Sequence, residues 1–338
     1  MTSRSGRLSR LFLASPALLV LLVAPYFGEG LSGATPPLDL VLPWNLAFMV
    51  ALYGCGALVC REVAHRFGLG FAGLCLLGVA YGVWEEALVD RYWFYPRFWR
   101  DSGIGSYSVV WHTNVLIAVH LTAFHTAISI CSSVLVVEWL VPRRRDRPWV
   151  CRPGLGVVAV ALAATPLIYG EFDQRPPIPV LLAATGLAGL AVVAAFLVGR
   201  RVASRHATDG RRPRRGLGII AFGCVLAHWV ATYGIAHANL PWPLGVSIAV
   251  APILIGVLLI RRMAATGPYG ADGVRTVAGL LSFFVLLDVV VGLGGRYDLT
   301  VSGLATAYAI HRLRKRYLSP TDTVTPTRDG HDLTRGLG

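Results

Sequence analysis

Ten mostly apolar stretches run along the chain, at about 11–28, 43–60, 68–89, 113–140, 155–170, 178–199, 216–238, 243–260, 276–294 and 299–311. Each approaches the ~20 residues that a helix needs to cross a bilayer, the fifth and tenth being the shortest. The polar segments between them alternate in character. One set is Arg-rich: RRRDRP at 143–148, the run RR…RRPRR at 200–215, and the segment from Arg312 onward. The other set, which includes DRYWFYPRFWRDSGIGSY, HANLPWP and GGRYD, carries aromatics, Pro, Gly and acids.

This alternation predicts a topology. With the start of the chain inside, 26 of the 31 Lys and Arg residues fall on the inner side and five on the outer. That asymmetry is the one that orients membrane helices. The expected fold is all-α: a polytopic transmembrane bundle of about ten helices with both termini cytoplasmic. Residues 1–318 would form a single integral membrane domain. The polar, Pro- and Thr-rich segment 319–338 would be a disordered cytoplasmic tail. The first run follows an Arg-bearing start with no small-x-small cleavage pattern before Glu29, and reads as a retained helix.

Composition agrees. The 338 residues are 55% hydrophobic and only 14% charged, with mean hydropathy +0.60. Soluble domains carry about 25% charged residues. The net charge of +13 sits in short clusters at the ends of apolar runs, so it marks topology and contact with anionic lipid, not a nucleic-acid-binding face. The six cysteines form no CxxC pair, and five lie in apolar runs. They read as buried thiols, not as a disulfide framework or a zinc site.

Ionisable side chains within such runs are costly and mark function. Glu85 and Glu86 end the third run, Asn114 opens the fourth, and His120 and His125 lie deeper in it. His228 lies in the seventh run, with His237 and Asn239 at its outer end, and Asp288 lies in the ninth. On a regular helix Glu85 and Glu86 diverge by ~100°, so only one would face a given point. His120 and His125 diverge by ~140°, which disfavours chelation of one ion. No HExxH, GxSxG, phosphate loop or DxxxD motif occurs. No metal and no cofactor are therefore expected. Each polar residue also has a plainer role available: solvation at a helix end, or a hydrogen bond between helices.

Aromatic residues crowd the same region, among them Tyr81, Trp84, Trp93 and Trp111. Interfacial anchoring is one use for them. The other is a lined pocket: aromatic faces stabilise cations, and a desolvated carboxyl can donate a proton. An acid, a dry pocket and aromatic walls are what proton-initiated carbocation cyclisation requires. The leading expectation is a membrane enzyme acting on a lipophilic, isoprenoid-type substrate, analogous in chemistry to membrane terpene cyclases. Glu85 or Glu86 would be the acid, with Asp288 in reserve. Asn114, His125 and His228 would orient it or accept a proton, and Tyr81, Trp84, Trp93 and Trp111 would contact substrate. The partners would be the bilayer and that small molecule. The alternatives are an intramembrane hydrolase and a transporter or lipid-binding protein with a buried carboxylate.

Two resemblances bear on this. The run Glu85-Glu86-Ala87-Leu88-Val89-Asp90-Arg91 resembles the EExxxR motif of the CAAX protease and bacteriocin-processing family, with the Arg one residue late. The FxxxH and HxxxN motifs of that family do not occur. The likeness implies glutamates that activate water for peptide cleavage. GALVCREVAHRFG, GVAYGVWEEALV, TNVLIAVHLTAFHTAIS and Glu138 together resemble a poorly characterised group of bacterial polytopic membrane proteins. That likeness implies a fold without an activity.

Overall fold

The computed structural model describes residues 15–168, 175–203 and 216–318. The expected tail at 319–338, the beginning of the first run and most of the Arg-rich 200–215 segment lie outside the described residues.

Long helices account for most of the described chain. In order they are α1 (Pro16–Gly30), α2 (Pro43–Arg66), α3 (Gly70–Val89), α4 (Val115–Leu140) and α5 (Arg152–Ile168). They continue with α6 (Ile178–Ala203), α7 (Leu217–Ile235), α8 (Trp242–Met263), α9 (Ala271–Leu293) and α10 (Tyr297–Leu318). Seven of them, α2–α4 and α6–α9, are long and apolar enough to span a bilayer; α1 and α5 are shorter apolar helices. The only sheet among the described residues is a two-stranded hairpin, β1 (Val109–Val110) with β2 (Thr113–Asn114). The fold is an all-α membrane bundle. Much of its apolar surface faces outward on α6 and α8, where Leu182, Leu190, Leu254 and Ile255 are exposed. Lipid is the medium that accepts such a surface.

α4 is the central post. It packs on α1, α2, α3, α8 and α9, while α3 also packs on α2 and α6. α7 joins α8 and α9, and α9 pairs with α10. Small residues permit close approach between α3 and α4. A Cβ on Gly78 would stand 3.3 Å from Thr126, and one on Gly82 would stand 3.1 Å from Thr122. These two glycines, four apart on one face of α3, let the backbone of α4 come close, as small-xxx-small pairs do in membranes. The first and last helices are tied by Tyr26, whose hydroxyl lies 2.7 Å from Ser302 Oγ and 2.6 Å from Thr306 Oγ1.

Four helices depart from α-geometry for a turn or more. Widened π segments occur at Tyr26–Gly30 in α1, Val50–Gly54 in α2, Glu85–Val89 in α3 and His125–Ser132 in α4. The first follows Pro25, which has no N–H to give to the ladder. These are the only π segments among the described residues, and they belong to four helices that pack together.

Candidate functional site

Each π segment delivers a polar side chain to one buried cluster. α1 brings Glu29, α2 Tyr53, α3 Glu85 and Glu86, and α4 His125 and Ser129. Such segments recur at functional sites because the widened turn re-aims side chains that a regular helix would scatter. Here Glu86 Oε1 lies 2.7 Å from His125 Nε2, and Glu85 Oε2 lies 3.0 Å from His125 Nδ1. The ~100° divergence expected for neighbouring residues is overcome in this way. Glu85 is 0% and Glu86 2% exposed, and His125 and Ser129 are buried with them.

The two glutamates are not equivalent. Glu86 is hydrogen-bonded to Nε2, while Ser129 Oγ, 3.0 Å away, is the hydrogen-bond partner of Nδ1. Glu85 is close to Nδ1 but outside hydrogen-bond geometry, and neither of its oxygens has a hydrogen-bond partner. Tyr53 stacks near His125 at 5.8 Å between ring centroids and donates its hydroxyl proton to Glu29 Oε1 at 2.6 Å. Thr35 holds the other Glu29 oxygen, also at 2.6 Å. Tyr81 completes the wall, 6.4 Å from the His125 ring and 6.3 Å from Trp84, with its buried hydroxyl unpartnered. Two close approaches make room for these rings. A Cβ on Gly28 would stand 2.5 Å from Tyr53, and one on Gly56 would stand 2.2 Å from Tyr81.

Tyr81 and Trp84 also line an apolar groove of about 220 Å³ between α2, α3, α5 and α6, with Val59, Leu162 and Val192 among its other walls. Tyr81 therefore stands between this groove and the acid cluster.

The remaining expected site residues are placed elsewhere. Asn114 is the N-cap of α4: its Oδ1 accepts from Ile117 N at 3.1 Å and from Ser108 Oγ at 3.1 Å, and its Nδ2 donates to Gly105 O at 3.0 Å. Its role there is to anchor the 100–114 loop. His228 meets His120 at 2.9 Å and the Ala249 carbonyl at 2.8 Å. The carbonyl accepts only from a protonated Nδ1, so in the neutral imidazole His228 Nε2 accepts from His120 Nδ1. The pair forms a hydrogen-bonded chain between α4 and α7, apart from the His125 cluster's own hydrogen bonds. Asp288 lies on the seam of α9 and α10 beside Gly303, with one buried oxygen unpartnered. Trp93 is packed in an apolar cluster with Val83, Ala87 and Ala184. Trp111, 86% exposed, sits with His112 at the tip of the hairpin, both at positive φ.

Glu29, Tyr53 and Ser129 were not singled out from sequence. Glu29 sits in what reads as a loop, and Tyr53 and Ser129 are unremarkable within apolar runs. Arg91, next after Glu85, Glu86 and Asp90 among the charged residues, closes this part of the chain in a left-handed turn at φ 57°. Its basicity is lowered by burial and by the neighbouring Arg175.

Glu85, Glu86 and His125 offer ligand atoms within 4.8 Å of one another, close enough for one cation. A single ion takes one imidazole nitrogen, however, and here the carboxyls approach opposite edges of the ring.

The model of a family of uncharacterized membrane proteins matches residues 18–311. The chain belongs to that family. It is a multi-pass membrane protein, in keeping with the second of the two resemblances; the CAAX-type likeness gains nothing from this match. No curated protein and no solved structure matches the chain.

Proposed function

We propose that this protein is an integral membrane enzyme that transfers a proton from Glu85 to a lipophilic, isoprenoid-type substrate. The observation that carries the reading is the placement of Glu85: fully buried, 3.0 Å from the His125 imidazole, with neither oxygen in hydrogen-bond geometry. A desolvated carboxyl with no donor in hydrogen-bond geometry to stabilise its ion favours the neutral acid, which can give its proton to a substrate. Two carboxyls and one imidazole removed from water are least costly when protons balance their charge.

The reaction that suits these parts is an isomerisation. The π electrons of a substrate alkene form a new C–H bond with the Glu85 proton, leaving a carbocation and the Glu85 carboxylate. The rings of Tyr81 and Tyr53 stabilise the cation. Loss of a proton from a neighbouring carbon to Glu85, or to His125 backed by Glu86, restores neutrality with no change in mass. The groove at Trp84 gives an apolar chain a route from the bilayer to Tyr81.

A second reading, hydrolysis by water activated between Glu86 and His125, is favoured by their 2.7 Å contact. One experiment separates the two. Membranes holding the protein are incubated with prenylated lipids of several chain lengths, and the products are resolved by chromatography and mass. Changed retention at unchanged mass, lost in Glu85→Gln, supports acid catalysis. Addition of water supports hydrolysis. No product from any substrate overturns both and leaves transport or lipid binding.

A further inference from the structure

The opposite end of α2 carries a second cavity, of about 220 Å³, lined by Arg61, His65, Glu138, Arg145, Asp146 and Tyr269 among others. It lies where four spans meet their ends: α2 and α4 stop near it at Arg66 and Leu140, and α3 and α9 begin near it at Gly70 and Ala271. That is the height of lipid head groups, not of acyl chains.

The charges around this cavity are unequally committed. Arg61 is fully occupied: it donates to Glu62, to Glu138 and to the carbonyls of Arg145 and Arg147, and it stacks 4.1 Å from the Trp149 ring. Arg66 is held by Glu62 and by the Val150 carbonyl. Two groups remain without hydrogen-bond partners although buried, Arg145 Nε and Glu138 Oε2. Glu138 is only 5% exposed, and the Arg145 guanidinium lies 5.3 Å from the Tyr269 ring centroid. A guanidinium and a carboxylate that each keep an unsatisfied polar atom, on two residues that line one cavity, suit a ligand that brings both an acceptor and a donor.

We propose that this cavity binds the head group of a phospholipid bearing a primary ammonium, the phosphate on Arg145 and the ammonium on Glu138, with Asp146 and the Tyr269 ring beside it. A purely anionic head group would meet the Arg145 side but leave Glu138 unsatisfied and repelled. A quaternary ammonium could lie over Tyr269 but has no N–H to give Glu138. The free head group shares this chemistry; the position at the span ends favours the membrane lipid as its source.

The test uses the full chain in mild detergent and native mass spectrometry with equimolar phosphatidylethanolamine, phosphatidylcholine and phosphatidylglycerol of matched acyl chains. Phosphatidylethanolamine should be retained about tenfold over the other two, the scale of one charge-assisted hydrogen bond. Asp146→Asn and Glu138→Gln should each reduce that preference. Asp146 is exposed, so its substitution leaves the packing intact. The lipid comparison on the unsubstituted protein needs no variant to fold. Equal or stronger retention of phosphatidylglycerol or phosphatidylcholine overturns the proposal. So does displacement of the lipid by equimolar soluble glycerophosphoethanolamine, which would make the free head group the ligand.

Discussion

Glu85 and Glu86 are adjacent in the chain and meet the same imidazole from opposite edges, Glu85 3.0 Å from His125 Nδ1 and Glu86 2.7 Å from Nε2. A regular α-helix cannot point two consecutive side chains at one ring. The π segment at Glu85–Val89 faces another that starts at His125, and the two together make the meeting geometrically available. The cluster is therefore a product of backbone irregularity in both partners.

Removing His125 alone should be costly. His125→Leu removes the hydrogen-bond partner of buried Glu86 and the ring beside Glu85, and leaving a buried polar group unsatisfied costs about 1–3 kcal/mol. Thermal unfolding in detergent should show a marked fall in midpoint. The triple variant Glu85→Gln, Glu86→Gln, His125→Leu removes the stranded groups and should recover much of that loss. If His125→Leu unfolds at the same temperature as the parent, the cluster is not an energetic unit.

Helix positions were legible in the sequence because burial in lipid demands long apolar runs, and the boundaries of α2 to α4 and α6 to α9 follow those runs closely. So were Glu85, Glu86 and His125, since ionisable groups in apolar runs announce themselves. Their convergence was not legible, because hydrophobic pattern carries no signal for a π turn. Glu29 and Tyr53 were missed for the same reason: each enters through a widened turn of its own helix. The aromatic cluster split for a different cause. Trp111 lies on a hairpin whose tip residues, Trp111 and His112, are not the Asn-Gly type that a two-residue turn at positive φ prefers, so the turn carries no sequence signal.

Close packing should make the glycines of α2 and α3 intolerant of growth. A methyl on Gly56 would stand 2.2 Å from the Tyr81 ring, a clash that one ring must move to relieve. Gly56→Ala should destabilise by about 1–3 kcal/mol, the usual cost of overpacking. Gly82→Val should push α3 from Thr122 of α4 and separate the glutamates from His125. Gly186, with nothing near its Cβ position, is the control: Gly186→Ala should be neutral or slightly stabilising in the same melting assay.

Orientation follows from the distribution of basic residues, with 26 of 31 on one predicted side. After replacement of the exposed Cys151, a cysteine at Ser106 should react with an impermeant maleimide in intact cells. A cysteine at Ser319 should react only after permeabilisation. The reverse pattern would invert the bundle, placing the acid cluster near the inner face and the Glu138 cavity near the outer.

Proton transfer from Glu85 makes unequal demands on the two glutamates. Gln keeps the shape of either side chain but has no acidic proton. Glu85→Gln should therefore lower turnover by about 10²–10⁴-fold, the usual contribution of general acid–base catalysis. Glu86→Gln still places an amide oxygen near Nε2, so it should slow the reaction less and act mainly by changing how His125 holds its proton. Glu85→Asp keeps an acid but draws it back by one methylene, and partial activity is expected. Trp84→Leu keeps the groove apolar while removing a ring 6.3 Å from Tyr81, so it should shift products toward water-quenched or partly rearranged species. A hydrolase carrying Trp84→Leu would slow without redistributing products, because no cation awaits quenching. Equal losses in the two Gln variants would mean that the carboxyls act as one unit around His125. Full activity in Glu85→Gln would remove Glu85 as the acid and leave Asp288, buried on the seam of α9 and α10 with an unpartnered oxygen, as the carboxyl to test.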